Sequence, residues 1–314
     1  MKRKNGFLGK DILSVDQFSK KDLSFLFEKA IAMKKIVKAR KSSRILQGKI
    51  MTALFYEPSS RTFGSFISAM QRLGGRVIPL QGMTYSSVAK GETLEDTIRT
   101  FECYSDVIVI RHSEVGSAKR AALASEIPII NAGDGVGEHP TQALLDLFTI
   151  LGKFKKIDGL RMALVGDLLN GRTAHSLFKL LAKMGKVEFY LVSPKTLRMP
   201  EEIRNQFKNH VKITETNKLD DVINKVNVLY VTRVQKERFS NLSAYEKIKN
   251  FYIINKKLMD KAKKDLILMH PLPRVNEIST DVDNDPRAVY LTEQMRNGLY
   301  VRMALLAVVL GKIK

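Results

Sequence analysis

The chain has 314 residues, 44% apolar and 27% charged, an ordinary globular composition with length enough for two domains. Lys and Arg number 53 against 32 Asp and Glu, a net charge of +21 that suits anionic partners. Cys103 is the single cysteine and the five histidines form no HExxH-like pair, so neither a disulfide framework nor a zinc site is expected.

The N-terminal stretch MKRKNGFLGKD is basic without the apolar run of a secretory signal. The longest late apolar run, MALLAVVL at 303–310, is too short to cross a bilayer. A cytoplasmic protein with no metal, no cofactor and no membrane partner is the expectation. Residues 1–50 hold 14 basic and 4 acidic side chains, a bias that nucleic-acid binding could produce. However, Leu23, Leu26, Phe27, Ala30, Met33 and Val37 recur at helical spacing with Lys29, Lys34, Lys35 and Lys38 opposite. Ser19 and Asp22 read as a capping box at the start of that pattern. The stretch predicts an amphipathic helix with a solvated basic face. No RNP or zinc-finger module accompanies it, and no nucleic-acid partner is expected.

Next along the chain, KIMTALFY (49–56), RVIPL (76–80), DVIVI (106–110) and IPII (127–130) read as buried strands. Helical patterns separate them, such as Phe63, Phe66, Ile67, Met70 and Leu73 before the Gly74-Gly75 stop. TQALLDLFTIL (141–151) predicts a helix joining two halves. RMALVG (161–166), VEFYLV (187–192), VNVLYVT (226–232) and DLILM (265–269) repeat the alternation. The fold class is α/β, two doubly wound parallel-sheet domains joined by helices.

Polar clusters follow six of these strands: Glu57–Thr62, Arg111-His112, Asn131–Gln142, Asp167–Thr173, Arg233–Gln235 and His270–Arg274. In open α/β sheets, ligands bind beyond the carboxyl ends of strands, so the clusters read as an active-site layout. In EPSSRT, a helix starting near Ser60 would offer free amides beside Arg61 and the hydroxyls of Ser59, Ser60 and Thr62. That combination suits a phosphate. GxxxxGK[ST] and GxGxxG are absent, so neither a nucleoside triphosphate nor a dinucleotide is implied. In GDGVGEHPTQ, His139 falls at the positive end of a helix, which disfavours its protonation and suits donation to a carbonyl oxygen gaining charge. Gln142 lies three residues on, on the same helical face. Arg172 and Arg233, each after a strand of the second half, suit a ligand with two carboxylates.

Together these segments resemble the transcarbamoylase family. EPSSRT is similar to its carbamoyl-phosphate signature, and SSVAKGETLEDT (86–97), IRH (110–112), GEHPTQALLDLFTI (137–150), GDLLNGRTAHSL (166–177), YVTRVQKERF (230–239), MHPLPRVNEI (269–278) and NGLYVRMALLAVVL (297–310) follow in the family's order. The resemblance implies a carbamoyl-phosphate domain from residues 1–140, completed by a C-terminal helix at 292–314, and an aspartate domain from residues 141–291. It implies transfer of the carbamoyl group of carbamoyl phosphate to the amine of L-aspartate, an early step of pyrimidine biosynthesis. It also implies a homotrimer with shared active sites, with regulatory chains as candidate partners.

By the same resemblance Ser59, Ser60, Arg61 and Thr62 hold the phosphate and Arg111 bridges phosphate and carbonyl. Thr62, Arg111 and His139 polarise the carbonyl, and Gln142 with the Leu272 carbonyl fixes the amide. Arg172, Arg233 and Gln235 hold aspartate, while Ser86 and Lys90 reach in from a neighbouring chain. An ornithine-specific member carries HCLP where this chain has HPLP (270–273), and a cysteine where it has Thr141, so aspartate is the expected acceptor. Phe63-Gly64 departs from the family's pattern in the phosphate helix.

Overall fold

The computed structural model describes residues 6–41, 43–82, 87–239 and 242–313. The chain divides into two units, Met1–Phe148 with Arg296–Lys314, and Thr149–Met295.

In the first unit, α1 (Lys20–Lys38) opens with the expected capping box: Ser19 Oγ accepts from Asp22 N–H at 3.2 Å, and Ser19 N–H donates to Asp22 Oδ2 at 3.0 Å. Its apolar stripe, Leu23, Leu26, Phe27, Ala30 and Met33, is buried, while Lys20, Lys21, Lys35 and Lys38 face solvent. Strand β1 (Ile50–Phe55) leads into helix α2 (Ser60–Arg72), then β2 (Arg76–Gln81), α3 (Leu94–Glu102), β3 (Val107–His112), α4 (Ser117–Leu123) and β4 (Ile129–Asp134). The four strands form a parallel sheet in the order β2-β1-β3-β4. Near-continuous apolar runs in β1 and β3 are what burial on both sheet faces requires, and β4 is buried at every position.

Helix α5 (Pro140–Phe154) carries the chain onward, and the division between units falls within it. The second unit holds β5 (Arg161–Val165), α6 (Arg172–Met184), β6 (Glu188–Val192), α7 (Glu201–Asn205), β7 (Lys212–Thr216), β8 (Val228–Val231), α8 (Leu242–Ile248), α9 (Lys256–Met259) and β9 (Ile267–Met269). Its sheet is parallel in the order β7-β6-β5-β8-β9. A core of Val165, Val192, Leu229, Val231, Ile254 and Leu268 packs on it. Helix α10 (Glu293–Val309) returns the chain to the first unit, where Val301, Ala304, Leu305 and Val308 are fully buried.

Three strands differ from the sequence expectation: RVIPL, read as buried, is the edge strand β2 and has no buried position. Strand β7, KITET, was not anticipated: it is an edge strand, half-buried at four of its five positions, and lacks a continuous apolar signal. Strand β4 begins two residues later than IPII and runs through Asn131 to Asp134. Those polar residues tolerate burial because they bond one another: Asn131 Nδ2 donates to Asp134 Oδ1 (3.2 Å) and to the Leu13 carbonyl (3.0 Å).

Candidate active site

Each sheet has one topological switch point, where consecutive connections leave toward opposite edges. In the first unit it lies between β1 and β3; in the second, between β5 and β8. Most of the candidate residues follow the strands at those two points.

Beyond β1, Ser59 occupies the N-cap of α2 with an extended backbone, φ −158°, and its hydroxyl makes no capping bond. The first amides of α2 therefore lack the side-chain cap that Ser19 gives α1. Thr62 is buried, Ser59 is partly buried, and Ser60 and Arg61 are exposed. The adjacent strand β3 pairs Arg111 with Phe55, bringing Arg111 to the same sheet end as α2. The β3–β4 register shifts between Ile110 and His112, so Arg111 sits on a ladder irregularity of the kind that redirects a side chain. Arg111 Nη1 donates to the Ala132 carbonyl at 3.3 Å, and Nε lies 3.5 Å from Glu57 Oε2. Glu57 is a partner the sequence reasoning missed. It stands in the cluster after β1 and Arg111 in the cluster at the end of β3, so no local pattern signals the pair.

After β4, His139 directly precedes α5 and is 4% exposed. Its carbonyl accepts from the N–H groups of Gln142 (3.0 Å) and Ala143 (3.2 Å), and its Nδ1 lies 3.5 Å from Thr141 Oγ1. Gln142 is buried one turn into the helix, where its Nε2 donates to Asp146 Oδ1 at 3.0 Å. Lys90 ends a short helical turn, Ser87–Lys90, with its side chain in solvent. Ser86 lies outside the described residues.

In the second unit the loop after β5 is built around Asp167, which is fully buried. Its carboxylate accepts from Asn170 N–H (2.9 Å), from Asn170 Nδ2 (3.1 Å to Oδ2) and from Gln235 N–H (3.4 Å). Gly171 takes φ −77°, ψ 70°, an inverse γ-turn closed by Arg172 N–H on the Asn170 carbonyl at 2.9 Å. A Cβ at Gly171 would collide with the Asp167 carbonyl oxygen. Gly166, at φ +114°, lets the chain pass the Thr232 carbonyl just as closely. Arg172 is thereby the first residue of α6.

Gln235, after β8, donates from Nε2 to the Asn170 carbonyl at 2.9 Å, which ties the β8 cluster to the β5 cluster. Arg233 stands two residues before it, half-buried. Behind this loop, His175 Nε2–H donates to the Leu168 carbonyl at 2.6 Å, and burial pushes the imidazole pKa below its ordinary value.

Leu272 follows β9 with φ +57°, a left-handed conformation that costs a β-carbon-bearing residue of order 1 kcal/mol. His270 holds it there. Leu272 N–H donates to His270 Nδ1 at 2.8 Å, so the ring proton is on Nε2, which donates to Glu277 Oε1 at 2.8 Å. Burial pushes Glu277 up, but the hydrogen bond from His270 and the backbone N–H groups around it leave the carboxyl below its usual range.

The fold and these clusters define a class: a two-unit parallel α/β protein with cations at the switch point of each sheet. Comparison with known proteins makes the class specific. A family model for the aspartate/ornithine carbamoyltransferase carbamoyl-P binding domain matches residues 10–152, and one for the Asp/Orn binding domain of the same family matches residues 158–309. The chain belongs to the aspartate/ornithine carbamoyltransferase family.

It is 50% identical over 304 residues to the aspartate carbamoyltransferase catalytic subunit of Thermococcus gammatolerans, covering 96% of this chain and 98% of that one. It is 51% identical over 308 residues to the multifunctional protein pyr1-3 of Dictyostelium discoideum; the match takes in 98% of this chain but spans only 14% of that relative's length. Among solved structures, aspartate transcarbamoylase from Trypanosoma cruzi in complex with carbamoyl phosphate and aspartate superposes with a TM-score of 0.93 at 46% identity, covering 97% of this chain and 98% of the other.

Proposed function

We propose that the chain is an aspartate carbamoyltransferase: it transfers the carbamoyl group of carbamoyl phosphate to the amine of L-aspartate, giving N-carbamoyl-L-aspartate and phosphate. The observation that carries this reading is the placing of a phosphate-type helix start beside Arg111 at one switch point, and the bond from Gln235 to Asn170 in the loop that leads into Arg172 at the other. The first unit takes the donor and the second the acceptor.

Ser59, Ser60, Arg61, Thr62 and the first amides of α2 bind the phosphate dianion. Arg111, Thr62 and His139 stabilise the oxyanion that forms when the amine attacks the carbamoyl carbon. The Gln142 side chain and the Leu272 carbonyl orient the donor amide. Arg172, Arg233 and Gln235 bind the two carboxylates of aspartate. The C–N bond forms as the C–O bond to phosphate breaks, and the departing phosphate accepts the amine proton. Two substrates bring about four negative charges, and Arg61, Arg111, Arg172, Arg233 and Lys90 answer them.

Lys90 and Ser86 act on a neighbouring chain in a cytoplasmic homotrimer, to which regulatory chains can add. The product feeds pyrimidine biosynthesis. Among the described residues, no helix is long and apolar enough to cross a membrane. The test is a direct assay: purified protein given carbamoyl phosphate should release phosphate and carbamoylate L-aspartate, leaving L-ornithine unmodified. Carbamoylation of ornithine in preference to aspartate contradicts the proposal.

A further inference from the structure

Asp146 lies one helical turn beyond Gln142 on α5, fully buried, and accepts the Gln142 Nε2–H at 3.0 Å. Because the Asp146 oxygen is the acceptor in this bond, it dictates which way the Gln142 carboxamide turns. The NH2 faces inward to Asp146, and Oε1 is left on the opposite edge.

Arg302, on α10, lies in the same interior and is 4% exposed. Its Nη1 donates to Ser65 Oγ on α2 at 2.9 Å, and the guanidinium stacks over Phe66 with its carbon 5.1 Å from the ring centroid. Burial pushes the Arg302 pKa down to about 10, and the charge of Asp146 opposes that fall. Arg302 Nε is buried without a hydrogen-bond partner among the described residues, so Asp146 supplies compensation that hydrogen bonding leaves incomplete. Asp146 and Arg302 are thus both buried, and the charge of the carboxylate is felt at the guanidinium.

We infer that Asp146, which holds the Gln142 amide, is the positioning residue that sets donor specificity. It locks Gln142 so that Oε1 meets the –NH2 of a carbamoyl donor and rejects an acyl donor bearing a methyl group there. The inference rests on the reading of Gln142 as the group that meets the donor's amide. Carbamoyl phosphate and acetyl phosphate differ in that one substituent. A fixed acceptor gains a hydrogen bond from the amide and is left desolvated and unpaired by the methyl. A carboxamide free to rotate would offer its own NH2 for part of the time, and the discrimination would weaken.

The experiment is the ratio of kcat/KM for carbamoyl phosphate to that for acetyl phosphate, with aspartate as acceptor. It is measured in the wild type, in Asp146→Asn and in the paired variant Asp146→Leu/Arg302→Met. Asp146→Asn replaces a pure acceptor with a group that can turn either edge to Gln142. The paired variant removes both buried charges together, which protects against loss of folding. Each variant should lower the ratio by at least about tenfold, mainly through the carbamoyl donor. Neither should lower it further in a Gln142→Leu background, because Asp146 acts through Gln142.

A folded variant that loses both donors in equal proportion gives Asp146 a structural role only and overturns the inference. A Gln142→Leu enzyme that keeps the wild-type ratio overturns it as well, while leaving the proposed reaction intact. A wild type that turns over neither donor removes the proposed reaction itself, and the inference with it.

Discussion

In the proposed reaction Arg61 and Arg233 divide the anionic load between the two units. A charge-assisted hydrogen bond to a phosphate or carboxylate contributes about 1.5–3 kcal/mol. Arg61→Ala should therefore lower kcat/KM for carbamoyl phosphate by roughly 10- to 100-fold, and Arg233→Ala should do the same for aspartate. Steady-state kinetics with each substrate varied separately checks this, and a variant that weakens both substrates equally contradicts the division.

His175 offers a second residue-scale test, through pH. The unfolded ring titrates near 6.5, and burial holds the folded ring below that. Above pH 6.5 both states are neutral and His175 carries no penalty. As pH falls below 6.5, the unfolded chain takes up a proton that the folded chain resists, and stability declines toward the folded pKa. His175→Gln keeps an N–H donor for the Leu168 carbonyl without a ring to charge. The melting temperature of that variant should fall less between pH 7 and 5 than that of the wild type. An unchanged slope would contradict the assignment.

Two glycines, on α2 and after β5, look alike in sequence and have opposite consequences. Gly64 lies in the exposed part of α2, with nothing within 4 Å of where a Cβ would stand. Gly64→Ala should stabilise the protein by about 0.5–1 kcal/mol, because alanine is the better helix former and restricts the unfolded chain. Phe63 beside it packs edge-on against Phe55 of β1 with ring centroids 5.1 Å apart, so this departure from the family's pattern is filled by core packing. Gly166→Ala meets the Thr232 carbonyl at a positive φ and should cost about 1–3 kcal/mol while raising the KM for aspartate. Thermal melts of the two variants should move in opposite directions.

Strands were readable because eight of the nine carried an apolar run of four to eight residues, and six of those runs stopped at polar clusters. Strand β7 did not, since an edge position asks little apolarity of KITET. Apart from Leu272, which offers its carbonyl, the residues that touch ligand in the proposed reaction have polar or charged side chains and stand out in the sequence. The ones that aim them do not. Glu57 on Arg111, Asn170 on Gln235, and the Glu277–His270 pair beneath Leu272 act through contacts up to 65 residues apart in sequence, which only folding brings together.

At the scale of the molecule, the net charge of +21 is larger than five site cations need, and the exposed lysines of α1 account for part of the excess as a solvated helix face. Lys90, exposed on its turn, is the residue that the proposed trimer employs in a neighbouring site. Mixing inactive Arg61→Ala and Lys90→Ala proteins should restore activity once subunits exchange, and exchange without recovery contradicts the shared-site arrangement.

The account depends on donor and acceptor being held together on one enzyme. A single molecule joining a phosphonate mimic of the donor to aspartate would satisfy both sets of residues at once and avoid the entropy of bringing two ligands together. Titration calorimetry should give it a Kd at least about 100-fold below that of phosphate or aspartate alone, with the advantage lost in Arg61→Ala and in Arg233→Ala. A Kd no lower than that of either half would contradict the account.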